Sequence, residues 1–178
     1  MSEKKGMYEK TKKEMRLSER IIAALPGFRG YKEKELRRES DKLVRNHIYQ
    51  RLTTARKDLK EVFQKLSDSK MHEVLTDMDR FIMRFDRVAQ KINHASYGYA
   101  GFFNIVKVEE GKLDKMIEFD NGLLDKAEKI VAEADTFKKE VTKQKLEKTR
   151  GYLDNLEGML EELEETFDGR DGIVKGVK

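Results

Sequence analysis

The stretch Met71–Ile92, MHEVLTDMDRFIMRFDRVAQKI, decides the fold. Met71, Leu75, Met78, Ile82, Phe85, Ala89 and Ile92 recur at alternating four- and three-residue intervals. That spacing puts one apolar seam along one side of a helix. Val74, Phe81, Val88 and Ala95 add a third apolar position per heptad. A stripe of that width touches two neighbouring helices, so this segment reads as the central helix of a bundle, spanning about 70–97.

Upstream, the segment 31–66 contains neither Gly nor Pro. Leu52, Ala55, Leu59, Val62 and Leu66 repeat the same intervals, and Leu43, Val44 and Ile48 extend that face toward the N-terminus. Ser67-Asp68-Ser69-Lys70 is the expected tight corner, since Ser and Asp favour helix ends. The single Pro, in Leu25-Pro26-Gly27-Phe28-Arg29-Gly30, separates this helix from a short one over about 8–25. Downstream, Leu113, Met116, Ile117, Leu123, Leu124, Ala127, Ile130, Val131, Ala134, Phe137 and Val141 mark a helix over 109–141. Leu146, Tyr152, Leu153, Leu156, Met159, Leu160, Leu163 and Phe167 mark another over 145–167. The apolar phase weakens at Thr142–Lys145, so the two read as one bent helix or as two. Asp168–Lys178, with three Gly, reads as a flexible tail. The expectation is all-α: one domain over 1–167, an antiparallel bundle of four to five long amphipathic helices with coiled-coil-like packing.

Composition fits this reading. The chain has 178 residues, of which 38% are hydrophobic and 40% charged. That charged share, well above the usual quarter, suits long helices with one buried stripe and a wide solvated face. No cysteine is present, which removes disulfides, thiolate metal sites and cysteine nucleophiles. No apolar run nears the roughly 20 residues needed to span a bilayer. Met1–Arg20 has no apolar stretch of signal-peptide type, so the expected location is cytoplasmic. The net charge of +4 is unevenly spread: residues 1–70 carry an excess of Lys and Arg, and the remainder is mildly acidic. Basic helices packing beside acidic ones would account for that. So would a surface for nucleic acid or an anionic membrane.

Catalytic and metal signatures are missing from the sequence. Di-iron bundles use Glu-x-x-His, but Val44, Ser69 and Lys91 stand three residues before His47, His72 and His94. There is no His-Glu-x-x-His, phosphate loop or EF-hand loop. No metal and no cofactor is therefore expected, and no enzymatic role. Asp79-Arg80 and Asp86-Arg87 recur at a heptad interval and read as salt bridging along and between helices, for example Asp77 with Arg80. Asp120 falls in phase with the buried seam between Ile117 and Leu124. A buried carboxylate needs a partner, and Arg87 or His94 are the candidates. These three form a candidate buried polar group.

A short corner makes helices 31–66 and 70–97 antiparallel. The loops Leu25–Tyr31 and Tyr97–Phe103 then come to one end of the bundle. They gather Phe28, Tyr31, Tyr97, Tyr99, Phe102 and Phe103 beside Arg29, Lys32, Arg37 and Arg38. Aromatics beside cations suit anionic groups, stacked bases or a peptide. The same aromatics would equally plug a bundle end.

The segments LPGFRGYKEKELRRESDKLVR and YGYAGFFNIVKVEEGKLDKMIEFDNGLL resemble parts of an uncharacterised prokaryotic, archaeal-type family of all-helical proteins. The resemblance implies a helical fold and no particular activity. The expected role is a non-catalytic interaction or scaffold protein, with a protein partner or a homodimer. Nucleic-acid binding through the basic first 70 residues is the alternative, and an anionic-membrane surface a more distant one.

Overall fold

In the computed structural model, residues 34–95 and 110–175 are described, with side chains over 42–95 and 118–169. They form four helices and no strand: α1 (Lys34–Asp68), α2 (His72–His94), α3 (Glu110–Thr142) and α4 (Thr149–Lys175). The helix expected over 8–25 lies outside the described residues. Among the described residues, no helix is long and apolar enough to cross a membrane.

Backbone packing divides the chain into two units. One comprises 1–44, 97–122 and 170–178; the other comprises 45–96 and 123–169. In the first, the described buried side chains are Val44, Asp120 and Asn121. Nearly all the described core belongs to the second unit. There α1 buries Ile48, Leu52, Ala55, Leu59, Val62 and Leu66, and α2 buries Val74, Met78, Phe81, Phe85, Val88, Ala89 and Ile92. α3 contributes Leu123, Leu124, Ala127, Ile130, Val131, Ala134, Phe137 and Val141, and α4 adds Leu153, Leu156, Leu160, Leu163 and Phe167. Each fully buried Val, Leu, Ile, Phe or Met among them contributes roughly 1.5–3 kcal/mol by leaving water. Phe81 and Phe85 meet edge-on at 5.9 Å, and Phe137 stacks on Tyr152 at 5.2 Å. The α2 seam lies between the two sets of positions read from the sequence: Leu75 and Ile82 are only half-buried, whereas Val74, Phe81 and Val88 are buried.

Both corners are built alike. α1 stops where Lys70 takes φ 59°, with Met71 N–H donating to Leu66 O and Lys70 N–H to Ser67 O, both at 3.0 Å. α3 stops where Gln144 takes φ 58°, with Lys145 N–H donating to Glu140 O and Gln144 N–H to Val141 O, again at 3.0 Å. Paired bonds of this pattern around a left-handed residue define the Schellman stop, which satisfies the last carbonyls of a helix. The region 109–167 is therefore two helices, joined through Lys143–Lys148. The N-terminal corner falls two residues later than expected, because Ser67 and Asp68 continue α1 instead of capping α2. α4 runs on to Lys175, so the flexible tail expected from Asp168 is helical over most of its length. Glycines in a helix weaken it without ending it. α2 stops at His94 rather than Tyr97, since Ala95 is extended at ψ 123°.

Charged pairs fix the order of helices in the second unit. Arg51 donates to both carboxylate oxygens of Glu128 at 2.6 Å, and Lys138 meets Asp58 and Glu61 at 2.8 and 2.9 Å. Those contacts advance together along both chains, so α1 and α3 run parallel. Asp77 meets Arg150 at 2.7 Å, and Lys91 meets Glu164 and Asp168 at 3.2 and 2.7 Å, so α2 and α4 also run parallel. Arg56 pairs with Asp86 across α1 and α2, and Lys126 with Glu162 at 2.7 Å across α3 and α4. The ring reads α1, α2, α4, α3. Helices are antiparallel within each hairpin, as expected, while the hairpins lie side by side with like directions. Both corners consequently sit at one end of this unit.

Candidate functional site

The outward face made by α2 and α4 differs from the rest of the second unit. On α2 the seven core positions fix the opposite side, and there Arg80, Met83, Arg87 and His94 are exposed. Met83 is 58% exposed, the more exposed of the two large apolar side chains that reach water among the described residues; the other is Leu43. On α4 the strict spacing of Leu153, Leu156, Leu160, Leu163 and Phe167 leaves a narrow buried stripe. Its outward side carries Asp154, Glu161 and Glu165, all exposed, with Glu157 at the edge. Gly151 and Gly158 are exposed on the same helix, and a Cβ added at either would meet nothing within 4 Å. A basic row with a methionine in it thus lies beside an acidic row with glycines in it.

Between the rows runs a cleft of about 410 Å³ lined by Asp77, Arg80, Arg150, Leu153, Asp154 and Glu157. Asp77 holds it together. Its carboxylate accepts from Arg150 at 2.7 Å and stands 3.9 Å from Arg80. At the far end Lys91 bridges to Glu164 and Asp168, and Arg84 meets Glu164 at 3.6 Å. The hydrogen bond from Lys91 to Asp168 raises the lysine pKa above its ordinary 10.5; partial burial opposes that rise and Glu164 adds to it. Asp154, Glu157, Glu161, Glu165 and Arg87 take part in none of these bridges.

Two interior polar features stand out. Arg45 is only 5% exposed and donates to Ala95 O at 2.6 Å and Asn93 O at 3.4 Å. It therefore closes the end of α2, where unpaired carbonyls and the negative pole of the helix favour a cation. Thr149, at the start of α4, is buried with a hydroxyl that finds no hydrogen-bond partner among the described residues. Neither feature was legible beforehand. Arg45 stands one residue after Val44, off the apolar spacing, and its length lets it reach a helix end that sequence does not locate.

The residues singled out from the sequence are placed as follows. Phe28, Arg29, Tyr31, Lys32, Tyr97, Tyr99, Phe102 and Phe103 lie outside the described residues. Arg37 and Arg38 are on α1, before the positions whose side chains are described. Asp120 is buried at 2% exposure, with Asn121 beside it at 6%. Arg87 and His94 are exposed, so they are not members of a buried polar group. Their positions on α2 fall opposite the Phe81–Phe85 seam, which turns them to water. Of the Asp-Arg repeats, Asp77–Arg80 forms along the helix and Arg56–Asp86 forms between helices. Met83 carried no sequence signal, because one methionine beside an apolar seam reads as core. Its exposure follows from the centre of the seam lying at Phe81 and Phe85.

Among the described residues no cluster of three or more His, Asp or Glu side chains is arranged to hold a metal ion. No protein-family model, no curated protein and no solved structure matches the chain.

Proposed function

We propose that the chain is a non-catalytic helical interaction protein, acting in the cytoplasm as a scaffold or adaptor. In this reading the whole chain is a bundle of four to five helices with coiled-coil-like packing. The observation that carries it is the face itself: Met83, 58% exposed, stands between Arg80 and Arg87 beside the exposed acidic row of Asp154, Glu161 and Glu165. Rows of opposite charge side by side on one face orient and select a partner of complementary charge. On this face Arg87, Asp154, Glu157, Glu161 and Glu165 stand outside the ion pairs described above, which knit the ring of helices.

Nucleic acid is the second reading, favoured by Lys42, Lys57 and Lys60, which are exposed on α1 and outside the ion pairs. The described arginines of α1 weigh the other way. Arg45, Arg51 and Arg56 are all engaged within the second unit. A tagged pull-down from the source organism, split into nuclease-treated and untreated halves, separates the readings. A stoichiometric protein retained after nuclease supports the interaction reading. Partners that vanish with nuclease would replace it with the nucleic-acid one.

A further inference from the structure

We infer that the α2/α4 face binds a second copy of this chain, giving a two-fold dimer whose axis runs along the helices. The inference rests on the interaction reading above and names its partner.

The charge layout is self-complementary. α2 contributes Arg80 and Arg87, with His94 beyond them, and α4 contributes Asp154, Glu157, Glu161 and Glu165. A two-fold axis in the plane of the face and parallel to the helices lays the basic row of one copy on the acidic row of the other, twice. An axis across the helices would set basic on basic and acidic on acidic. Only the first arrangement is attractive. Asp79, exposed on α2 toward the α1 side, and Arg150, held by Asp77, lie at the margins of this pattern.

Register supports the same arrangement. The bridges Arg150–Asp77, Lys91–Glu164 and Lys91–Asp168 join residues 73 or 77 apart, so a residue of α2 is level with one that many positions later on α4. An axis along the helices preserves these levels. Arg80 then lies across from Asp154 and Glu157, and Arg87 across from Glu161. Met83 lies across from Gly158, where open space stands over the backbone. A glycine admits close approach of a flexible apolar side chain, and methionine adapts to such a gap. The cleft between α2 and α4 lies at the start of this contact.

The test is sedimentation of the full chain over a wide concentration range at low and high salt. The wild type is expected to pass from one to two multiples of its 20.9 kDa mass, at lower concentration when salt is low. Arg87→Glu and Glu161→Arg each place like charges together and should each raise the dissociation constant at least tenfold. The double variant re-pairs both contacts of the two-fold and should restore the dimer. Both positions are exposed, and circular dichroism checks that each variant keeps the wild-type fold. A wild type that stays monomeric throughout, single variants that dimerise like wild type, or a double variant no better than the singles would each overturn the inference. A monomer that still retains a different, nuclease-resistant protein would overturn this dimer while leaving the interaction reading intact.

Discussion

Arg45 shows how one side chain can close an element. Two carbonyls at the end of α2 accept from its guanidinium, and a buried carbonyl left without a donor costs free energy. Arg45→Ala is expected to lower unfolding free energy by about 2 kcal/mol, measured by urea denaturation. Both carbonyls accept from one guanidinium nitrogen, Nη1, so Arg45→Lys, whose ammonium also carries several donors on a shorter stem, should recover part of that loss. Thr149 predicts the opposite sign. Its buried hydroxyl has no partner among the described residues, so Thr149→Val, close in shape, should be neutral or stabilising by up to about 1 kcal/mol. At this scale the sequence was legible where periodicity speaks, as at Asp120, which is in phase and buried. It was silent where a long side chain bridges between elements, as at Arg45, or where exposure depends on the centre of a seam, as at Met83.

The helices themselves were legible because their apolar positions repeat. Ile48, Leu52, Ala55, Leu59, Val62 and Leu66 are all buried, as their spacing requires. Their ends were less so. Both corners turn on a non-glycine residue in the left-handed region, Lys70 and Gln144, and nothing in either side chain announces that conformation. For L-residues it carries a steric cost that glycine avoids. Lys70→Gly and Gln144→Gly are each expected to stabilise the fold by about 1 kcal/mol, raising the melting temperature by roughly 2–4 °C. Gly158→Ala, inside α4 with open space around it, should stabilise by a similar amount through helix propensity. The α3–α4 corner carries a further feature. Lys145 and Lys143 reach the Glu140 carboxylate at 3.5 and 3.4 Å, where many such stops place an apolar contact.

Across the second unit, charge pairs order the helices and give stability a pH dependence of known sign. The Lys126 hydrogen bond holds Glu162 below the ordinary carboxylate value of 4.5. Desolvation pushes Glu140 up, but the Lys143 hydrogen bond and the charges of Lys145 and Lys143 outweigh it and the net shift is downward. Lowered folded values mean that the unfolded chain binds more protons. These contributions are present above about pH 4.5 and fade as pH falls through the folded values. Lys138 is raised above 10.5 by hydrogen bonds to Asp58 and Glu61, and Lys91 chiefly by its bond to Asp168. Their contributions are full below pH 10.5 and fade as pH rises beyond it. Thermal melts should therefore show a plateau between these limits, with Glu162→Gln flattening the acid limb and Lys138→Met the alkaline one. The effects are small because the groups meet solvent. The basic excess of residues 1–70 is thus partly taken up by internal pairing, as with Arg51 and Arg56. Under the proposed function the α2/α4 face is an interaction surface. Its most direct test compares tagged wild-type chain with an equally folded Met83→Glu/Arg87→Glu variant, each used to capture protein from nuclease-treated lysate that also contains untagged chain. The wild type is expected to retain a stoichiometric protein, its own untagged copy among the candidates by mass, and the variant to lose it. Equal retention by both baits, or loss of every partner on nuclease treatment, would contradict it.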